Sequence, residues 1–423
     1  MTGIASIRGV VRVPGDKSIS HRSLILAALS DGTSRISGLL RSADIDSTAS
    51  VLSALGVRIE PDKEGIAVHG RGLRGLLVPK RPLDCGNSGT TARLMAGVLA
   101  AHPFDSTLIG DASLSRRPMR RVTEPLGQMG AHFTMAGDGD GLPLTIHGGT
   151  LGSIGWNSPT ASAQVKSAIL LAALNAQVSA SVTEPSRSRD HTERMLAARG
   201  VPIVVDGESV SIGVARSMRA MDTHVPGDPS SAAFFVALAA LVPGRTLDMP
   251  DVCVNPTRTG FLDVVQRMGA VVSLLDASDE GGEPTATIRA TGTDSLRSVN
   301  VGAAEMPSMI DEVPILACLA ARADGETVIS GAAELRVKES DRISAVVRNL
   351  QAIGVDAEER PDGMAIRGSL APLSGRIETH GDHRIAMAFG VLGALPDNEI
   401  DIVGPECVSV SYPSFWSDLR RVA

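Results

Sequence analysis

The stretch Val13–Leu29, VPGDKSISHRSLILAAL, decides the fold of this chain. It begins with a short polar turn around Gly15, carries the cations Lys17 and Arg22, and continues as a run of Leu, Ile and Ala. A helix that is apolar on nearly all sides is typical of a buried position. The stretch therefore predicts a core helix whose first turn presents positive charge.

The same pattern, small and polar residues followed by an apolar helix, recurs along the chain. The recurrences are CGNSGTTARLMAGVLAA (85–101), SPTASAQVKSAILLAAL (158–174), PGDPSSAAFFVALAAL (226–241), PSMIDEVPILACLAA (307–321) and HGDHRIAMAFGVLGAL (380–395). Together with the first stretch they repeat at intervals of about 70 residues. Self-similarity at a fixed period indicates a chain that is built from repeated units.

A second series of helices has a similar period and ends at glycines. These are Gly56, Gly130, Gly200, Gly269 and Gly354, and the sixth copy lacks the glycine. Glycine in this position closes a helix in the left-handed conformation. Alternating segments such as GIAVHG, GLPLTIHG and GMAIRG follow and predict strands. A chance likeness of Ala- and Leu-rich helices is the alternative, but two series with one period favour six α/β units, arranged as two domains of three.

Composition excludes several classes of protein. With 423 residues, 43% hydrophobic and 21% charged, the chain is expected to be globular, with two to three domains. Only 2% of the residues are aromatic, which leaves few stacking platforms for nucleic-acid bases. The net charge of −7 argues against a nucleic-acid partner but permits a small anion in a local basic pocket.

Cysteine spacing and hydropathy predict the compartment. Cys85, Cys253, Cys318 and Cys407 are far apart, without the spacing of a metal site or a disulfide framework. The start, MTGIASIRGVVRV, lacks the apolar core of a signal peptide. The run AAFFVALAALV (232–242) is shorter than the roughly 18 residues that a membrane helix needs. We expect a soluble, cytoplasmic protein that binds no membrane, metal or cofactor.

Charged and polar side chains, together with Gly89, concentrate near the predicted helix starts. They include Lys17, Ser18, Arg22, Asn87, Gly89, Thr90, Arg93, Arg116, Arg117, Arg120, Arg121, Ser162, Gln164, Lys166, Arg187, Arg189, Asp190, Asp311, Glu312, Arg336, Lys338, Glu339, Arg342, His383 and Arg384. Arginine and lysine bind phosphates and carboxylates, and helix N-termini attract anions. If the buried helices of each domain run parallel, their N-termini share one face, and two such faces would form an anion-binding cleft.

Each of these residues also has an ordinary structural interpretation. The arginines of SLSRRPMRR suit a surface, Asp311 and Glu312 suit the first turn of a helix, and KESDR suits an exposed charge pattern. GNSGT is not a Walker loop, because no GK[ST] follows it. No GxSxG motif is present either. As a set, the residues predict chemistry on anions, with Asp311 and Glu339 available for proton transfer.

Nine motifs resemble the family of 3-phosphoshikimate 1-carboxyvinyltransferases, also called EPSP synthases. They are PGDKSISHR, GNSGTTARLM, SAQVKSAILLAAL, SRDHTERML, VPGDPSSAAF, NPTRTG, DEVPILA, RVKESDR and GDHRIAMA, and they run in family order from Pro14 to near Pro413. The resemblance implies an α/β fold of two domains, each of three βαβαββ units with buried parallel helices, an inside-out α/β barrel. It implies domains at 14–224 and at 1–13 with 225–423, with the active site in the cleft between them.

The resemblance also implies a reaction. Phosphoenolpyruvate and shikimate 3-phosphate would give 5-enolpyruvylshikimate 3-phosphate and phosphate, a step of the shikimate pathway towards chorismate and the aromatic amino acids. It implies a monomer without a cofactor, and it makes the inhibitor glyphosate a candidate ligand. Gly89 would leave room for the phosphonate of this inhibitor.

Site residues follow from the matched motifs. Asp311 would accept the proton of the 5-hydroxyl, and Glu339 with Lys17 would donate a proton to the methylene carbon and later recover one. Shikimate 3-phosphate would contact Lys17, Ser18, Arg22, Ser162, Ala163, Gln164, Arg189, Asp311 and Lys338. Phosphoenolpyruvate would contact Lys17, Gly89, Arg117, Gln164, Arg342 and Arg384. Ala163 replaces a serine of many relatives and Val410 a lysine of some, and both departures resemble class II of the family.

Two alternatives stay open. The sister enzyme that transfers enolpyruvyl to UDP-N-acetylglucosamine usually begins with a turn like GAKNA and carries a reactive loop cysteine, whereas the loop around SLSRRPM has none. A non-catalytic anion-binding protein on the same fold would be expected to lose one of Lys17, Asp311 and Glu339, and all three are present.

Overall fold

A computed structural model describes residues 8–136, 139–280 and 282–423. Packing divides the chain into two units. The N-terminal unit comprises Gly15–Val225 and the short segment Glu280–Glu283, and the C-terminal unit comprises residues 8–14, Pro226–Asp279 and Pro284–Ala423. The predicted boundaries differ from this division by one residue at each junction and by the short segment. The first seven residues of the segment predicted at 1–13 lie outside the described residues.

Helices of two kinds alternate in the N-terminal unit. They are α1 (Lys17–Leu29), α2 (Ala43–Ala54), α3 (Gly89–Ala100), α4 (Arg120–Gln128), α5 (Ala163–Ala176) and α6 (His191–Ala198). The odd-numbered helices are buried nearly all round, as their apolar sequences predict. Each of the three begins at a polar cap whose side chain accepts a hydrogen bond from a backbone N–H of the first turn, and these caps are Asp16, Ser88 and Ser162.

The strands of this unit form three four-stranded sheets. After β1 (Arg8–Val10), which belongs to the C-terminal unit, they are β2 (Thr33–Ser37), β3 (Arg58–Asp62), β4 (Gly65–His69), β5 (Leu83–Asp84), β6 (Asp105–Ile109), β7 (His132–Met135), β8 (Leu144–His147), β9 (Ile154–Asn157), β10 (Ala180–Thr183), β11 (Ile203–Asp206), β12 (Ser209–Ile212) and β13 (Thr223–His224). The sheet orders are β13-β2-β4-β3, β5-β6-β8-β7 and β11-β12-β10-β9. In every sheet one pair is parallel and the others are antiparallel.

The C-terminal unit repeats this plan. Its helices are α7 (Pro229–Ala240), α8 (Gly260–Arg267), α9 (Val313–Ala320), α10 (Arg342–Ala352), α11 (His383–Gly393) and α12 (Phe415–Val422). Its strands are β14 (Thr246–Cys253), β15 (Val271–Glu280), β16 (Glu283–Thr291), β17 (Leu296–Arg297), β18 (Asn300–Val301), β19 (Ala323–Asp324), β20 (Glu326–Ile329), β21 (Asp356–Arg360), β22 (Gly363–Arg367), β23 (Ser374–Glu378) and β24 (Glu399–Val403). The sheets are β1-β14-β16-β15, β18-β20-β22-β21, β17-β19 and β23-β24. The last pair is parallel and is followed by α12, so the sixth copy ends without a hairpin.

Two short strands complete sheets far from them in the sequence. β13 pairs in parallel with β2, with Thr223 opposite Ile36, and so supplies the strand that the first repeat lacks at its own start. β1 pairs in parallel with β14, with Arg8 opposite Thr246, and does the same for the fourth repeat. Each unit therefore contains a repeat that is closed by a strand from a distant part of the chain.

Glycines set both the helix ends and the closest helix packing. The five glycines predicted to end helices have positive φ angles of +87°, +105°, +84°, +110° and +90°, which confirms the second sequence series. Within the N-terminal core, a Cβ atom at Gly97 of α3 would lie 2.2 Å from the carbonyl oxygen of Ala168 in α5. The two helices thus approach each other at a point where only glycine fits.

Three further observations concern the described part of the chain. No helix there has the length and apolar character needed to cross a membrane. No group of three or more His, Cys, Asp and Glu residues in those ranges is placed to hold a metal ion. The four cysteines are free thiols, and all except Cys407 are buried.

Candidate active site

The first two turns of α1 carry two of the predicted site cations, Lys17 and Arg22. Asp16 caps the helix by accepting a hydrogen bond from the Ile19 backbone N–H at 2.8 Å. Lys17 follows immediately and forms an ion pair with Asp44, which lies in the first turn of α2. The Lys17 side chain remains 20% exposed. A lysine at the mouth of a buried helix is thus oriented by a carboxylate while it is still accessible to a ligand.

Arg22 lies one turn further along α1 and is buried. Its Nε donates to the Thr192 hydroxyl at 2.7 Å, its Nη2 donates to the Ser167 hydroxyl at 2.8 Å, and its Nη1 donates to the Ser18 carbonyl at 3.0 Å. Burial lowers the pKa of Arg22 to about 10; the charge of Arg189 acts in the same direction, and other nearby charges partly oppose it. The guanidinium therefore stays charged at neutral pH and is held by neutral oxygen atoms.

The start of α3 places Gly89 against two arginines. A Cβ atom at Gly89 would lie 3.1 Å from Nη1 of Arg93 and 3.6 Å from Nη1 of Arg117. The Nη2 of Arg117 donates to Oδ1 of Asn87 at 2.6 Å, which orients this side chain beside the helix N-terminus. Backbone N–H groups and two guanidinium groups thus converge at one turn, which is a suitable arrangement for an anion.

Gln164 joins the starts of α5 and α3. Its Oε1 accepts a hydrogen bond from Arg93 Nη1 at 2.6 Å, and its Nε2 donates to the Thr90 hydroxyl at 2.9 Å. These two bonds also fix which end of the amide points in which direction. The predicted residues Gln164 and Gly89 are therefore part of one connected cluster in the N-terminal unit.

A buried charge network supports the start of α5. Ser162 caps this helix, Ala163 is its first residue, and the Ser162 N–H donates to Glu184 Oε1 at 2.8 Å. The Nζ of Lys166 lies 2.8 Å from one oxygen of Glu184 and 2.8 Å from one oxygen of Glu193. Burial opposes the charge of Lys166, but the two carboxylates outweigh it and raise the pKa. Lys166 therefore orients the framework behind Ser162.

Arg342 is the centre of a second cluster, in the C-terminal unit. Its Nε lies 2.7 Å from Oδ2 of Asp382, its Nη2 donates to Oε2 of Glu339 at 2.6 Å, and its Nη1 lies 3.3 Å from Oδ1 of Asp311. Burial alone would lower the pKa of Arg342, but these three carboxylates raise it well above its ordinary value. The Arg342 guanidinium is only 1% exposed, so it is a permanently charged and well oriented group.

Asp311 faces three cations in this cluster. One of its oxygens lies 3.4 Å from Nζ of Lys338 and 3.3 Å from Arg342, and the other lies 3.7 Å from Nη2 of Arg384. Arg384 also donates from Nη1 to the Asp311 carbonyl at 3.1 Å. The Asp311 side chain keeps 12% exposure. Asp311 is therefore a fixed, partly exposed carboxylate beside cations that are able to bind an anionic substrate.

Comparison with known proteins agrees with these motifs. The model of the family described as EPSP synthase (3-phosphoshikimate 1-carboxyvinyltransferase) matches residues 1–419. The chain belongs to the EPSP synthase family. Bacillus licheniformis 3-phosphoshikimate 1-carboxyvinyltransferase is 47% identical over 422 residues, 99% of this chain and 98% of the relative. The Xanthomonas campestris protein of the same name is 50% identical over 414 residues, 97% and 94% of the two chains.

A solved structure shows the same fold. The EPSP synthase from Acinetobacter baumannii has a TM-score of 0.87 and 42% identity, with 100% of this chain and 97% of that chain covered. The predicted family and the predicted two-domain α/β class are thereby confirmed.

Sequence reasoning missed the residues that hold the EPSP synthase motifs in place. Asp44 pairs with Lys17, Thr192 with Arg22, Glu184 with Ser162, and Asp382 with Arg342. Asp382 does belong to the motif GDHRIAMA, and the charge of Arg342 outweighs burial to lower the pKa of its carboxyl group. A carboxylate just before a helix signals a cap, but nothing local in the sequence indicates that it also binds an arginine.

Proposed function

We propose that this chain transfers the enolpyruvyl group of phosphoenolpyruvate to the 5-hydroxyl of shikimate 3-phosphate, which gives 5-enolpyruvylshikimate 3-phosphate and phosphate. The observation that carries the proposal is the setting of Asp311, a partly exposed carboxylate within 3.7 Å of Lys338, Arg342 and Arg384. Membership of the EPSP synthase family supports the same reaction. Two anionic substrates require many cations for binding. The addition step also requires a base that lies close to these cations.

Shikimate 3-phosphate is the proposed ligand of the α1 and α5 starts. The contacts come from Lys17, Ser18, Arg22, Ser162, Ala163, Gln164, Arg189, Asp311 and Lys338. Arg22 supports this role best, because its guanidinium is charged, immobilised and bonded only to neutral groups at hydrogen-bond distance in the described structure. Ala163 offers its backbone N–H at the first position of α5, where a serine would have added a hydroxyl.

Phosphoenolpyruvate is the proposed ligand of Lys17, Gly89, Arg117, Gln164, Arg342 and Arg384. Gly89 leaves the approach to the α3 N-terminus open beside Arg117. The guanidinium of Arg342 is oriented by Asp382, Glu339 and Asp311, so its positive charge is fixed before a ligand binds. A fixed arginine of this kind favours a small ligand with carboxylate and phosphate groups.

The chemistry proceeds by addition and then elimination. Asp311 accepts the proton of the 5-hydroxyl as this oxygen bonds to C2 of phosphoenolpyruvate, while Glu339 with Lys17 gives a proton to C3 and turns the methylene into a methyl group. In the second half, the C2–O bond to phosphate breaks, the methyl group returns one proton to Glu339, and the departing phosphate takes up the proton that Asp311 accepted. Glu339 is oriented by Arg342 at 2.6 Å, which supports its role in moving that proton.

Three further expectations belong to this proposal. The protein is expected to act as a monomer, to work in the cytoplasm and to bind glyphosate in the phosphoenolpyruvate site. Gly89 supports glyphosate binding, since a methyl group there would meet Arg93 Nη1 at 3.1 Å. Inhibition that is competitive with phosphoenolpyruvate would support the last point, and inhibition that is competitive only with shikimate 3-phosphate would contradict it.

An acceptor comparison tests the function. Phosphate release is measured with phosphoenolpyruvate and either shikimate 3-phosphate or UDP-N-acetylglucosamine, and the product is identified by mass spectrometry. We expect release and an enolpyruvyl product with shikimate 3-phosphate only. Release with the nucleotide sugar alone would favour the sister activity, and substrate binding without any release would favour a non-catalytic anion-binding protein.

A further inference from the structure

Glu312 is a buried carboxylate beside the proposed base and has no role in the scheme above. It ends the short 3-10 turn Ile310–Glu312 and is 3% exposed. Its Oε1 accepts a hydrogen bond from the Ser230 hydroxyl and lies 3.6 Å from Nη1 of Arg384. Its Oε2 is buried and has no hydrogen-bond partner in the described structure. A charge in this position needs compensation, and Arg384 is the cation within ion-pair distance.

The Ser230 hydroxyl has a fixed direction. Nη2 of Arg258 donates to Ser230 Oγ at 3.0 Å and to Oδ1 of Asp228 at 3.0 Å. Arginine can only donate, so the single hydroxyl proton of Ser230 is left for Glu312. Asp228 in turn caps α7 through the Ser230 N–H at 2.8 Å. A chain of hydrogen bonds with fixed donors and acceptors thus runs from Arg258 through Ser230 to Glu312.

Arg384 contacts two acidic residues, Asp311 and Glu312. Nη1 donates to the Asp311 carbonyl at 3.1 Å and lies 3.6 Å from Oε1 of Glu312, and Nη2 lies 3.7 Å from the Asp311 carboxylate. With Glu312 neutral, the guanidinium would be free to move fully onto Asp311, where it would be less available to a ligand. The motifs VPGDPSSAAF and NPTRTG supply Asp228, Ser230 and Arg258, so both motifs contribute to the support of Glu312.

We propose that Glu312 is a positioning residue that holds Arg384 for phosphoenolpyruvate and so sets the affinity for this substrate. The proposal depends on the proposed function, in which Arg384 contacts phosphoenolpyruvate. The competing interpretation is that Glu312 only stabilises the start of α9 as an acid near a helix N-terminus. The two differ in whether the effect of Glu312 requires Arg384.

The test is Glu312→Gln, which keeps an acceptor for Ser230 and removes the charge. We expect the KM for phosphoenolpyruvate to rise by roughly tenfold, while the KM for shikimate 3-phosphate stays within about twofold. The matched control is Glu326→Gln, which removes an exposed carboxylate that pairs with Arg367 at 3.6 Å in the same unit. This control is expected to leave both KM values unchanged.

A double-mutant cycle decides whether the effect passes through Arg384. In an Arg384→Ala background, Glu312→Gln is expected to cause no further rise in the KM for phosphoenolpyruvate. A tenfold rise that persists in that background would overturn the proposal, and so would an unchanged KM in the otherwise wild-type chain. Equal rises in both KM values with a lower melting temperature would identify a structural role and would also overturn it.

A second variant covers the case in which Glu312→Gln fails to fold. Ser230→Ala removes the hydroxyl that anchors Glu312, and we expect a severalfold rise in the KM for phosphoenolpyruvate alone. No change in this KM would overturn the proposal. Absence of turnover in the wild-type chain would contradict the proposed function itself, before any variant is compared.

Discussion

Arg22 of α1 donates from Nε to the hydroxyl of Thr192 in α6 at a distance of 2.7 Å. The bond joins residues that are 170 positions apart and fixes the guanidinium at the mouth of a buried helix. Because the partners of Arg22 at this distance are hydroxyl and carbonyl oxygens, its charge is available to an incoming anion.

We therefore predict that Arg22→Ala raises the KM for shikimate 3-phosphate by at least about tenfold, the cost of a lost charge-assisted hydrogen bond. This KM is measured from initial rates, with the shikimate 3-phosphate concentration varied at saturating phosphoenolpyruvate. The control is Arg35→Ala, an exposed arginine of the same unit whose Nε lies 3.3 Å from Asp62. An unchanged KM for Arg22→Ala would remove this residue from the site.

Gly97→Ala is predicted to destabilise the N-terminal unit. The new methyl group would lie 2.2 Å from the Ala168 carbonyl, so α3 and α5 would have to move apart, at an expected cost of about 2–3 kcal/mol. Gly127 of α4 is the matched control, because it is also helical and a Cβ there meets nothing within 4 Å. Gly127→Ala should leave stability unchanged or raise it by about 0.5–1 kcal/mol. Urea unfolding midpoints compare the two, and equal midpoints would contradict the close packing.

His21 predicts a pH dependence of stability. It is fully buried, its Nδ1 lies 2.7 Å from the Thr48 hydroxyl, and burial lowers its pKa from 6.5 to about 3. Between these two values the unfolded chain binds a proton that the folded chain does not, so stability falls as the pH falls. From pH 7 to pH 5 this group alone removes about 2 kcal/mol of unfolding free energy.

His21→Gln should abolish that contribution. Urea unfolding at pH 7, 6 and 5 is expected to show a smaller loss of stability in the variant than in the wild-type chain. His132→Gln, which replaces an exposed histidine of β7, controls for the removal of a surface histidine. Identical pH dependence in the wild type and His21→Gln would show that His21 does not resist protonation in the fold.

The repeat and its helices were predictable because their signals are local. An apolar run after a polar cap, as at Asp16 and Ser88, and a glycine after a helix, as at Gly56, can be found within a few residues. The cations predicted for the site were chosen from signals of the same kind, since they lie in the motifs near these helix starts.

The partners of those cations were not predictable from the sequence. Lys17 meets Asp44 of the next helix, and Ser162 meets Glu184 beyond the following strand, because the fold of each repeat brings these separated positions together. The strand β13 was not predictable either, because its two residues, Thr223 and His224, are too few to show the alternating pattern of a strand. Burial also distinguishes Lys166, a framework charge, from Lys17, an accessible one, although both stand at helix starts.

The central claim is that Asp311 is the base of the enolpyruvyl transfer, and Asp311→Ala tests it most directly. The measurement is kcat for formation of 5-enolpyruvylshikimate 3-phosphate, with substrate binding followed by calorimetry and with the exposed Asp356→Ala as control. The account predicts that both substrates still bind while kcat falls by about a thousandfold or more, because only the transition state requires the proton to move. A near-normal kcat in Asp311→Ala would contradict it.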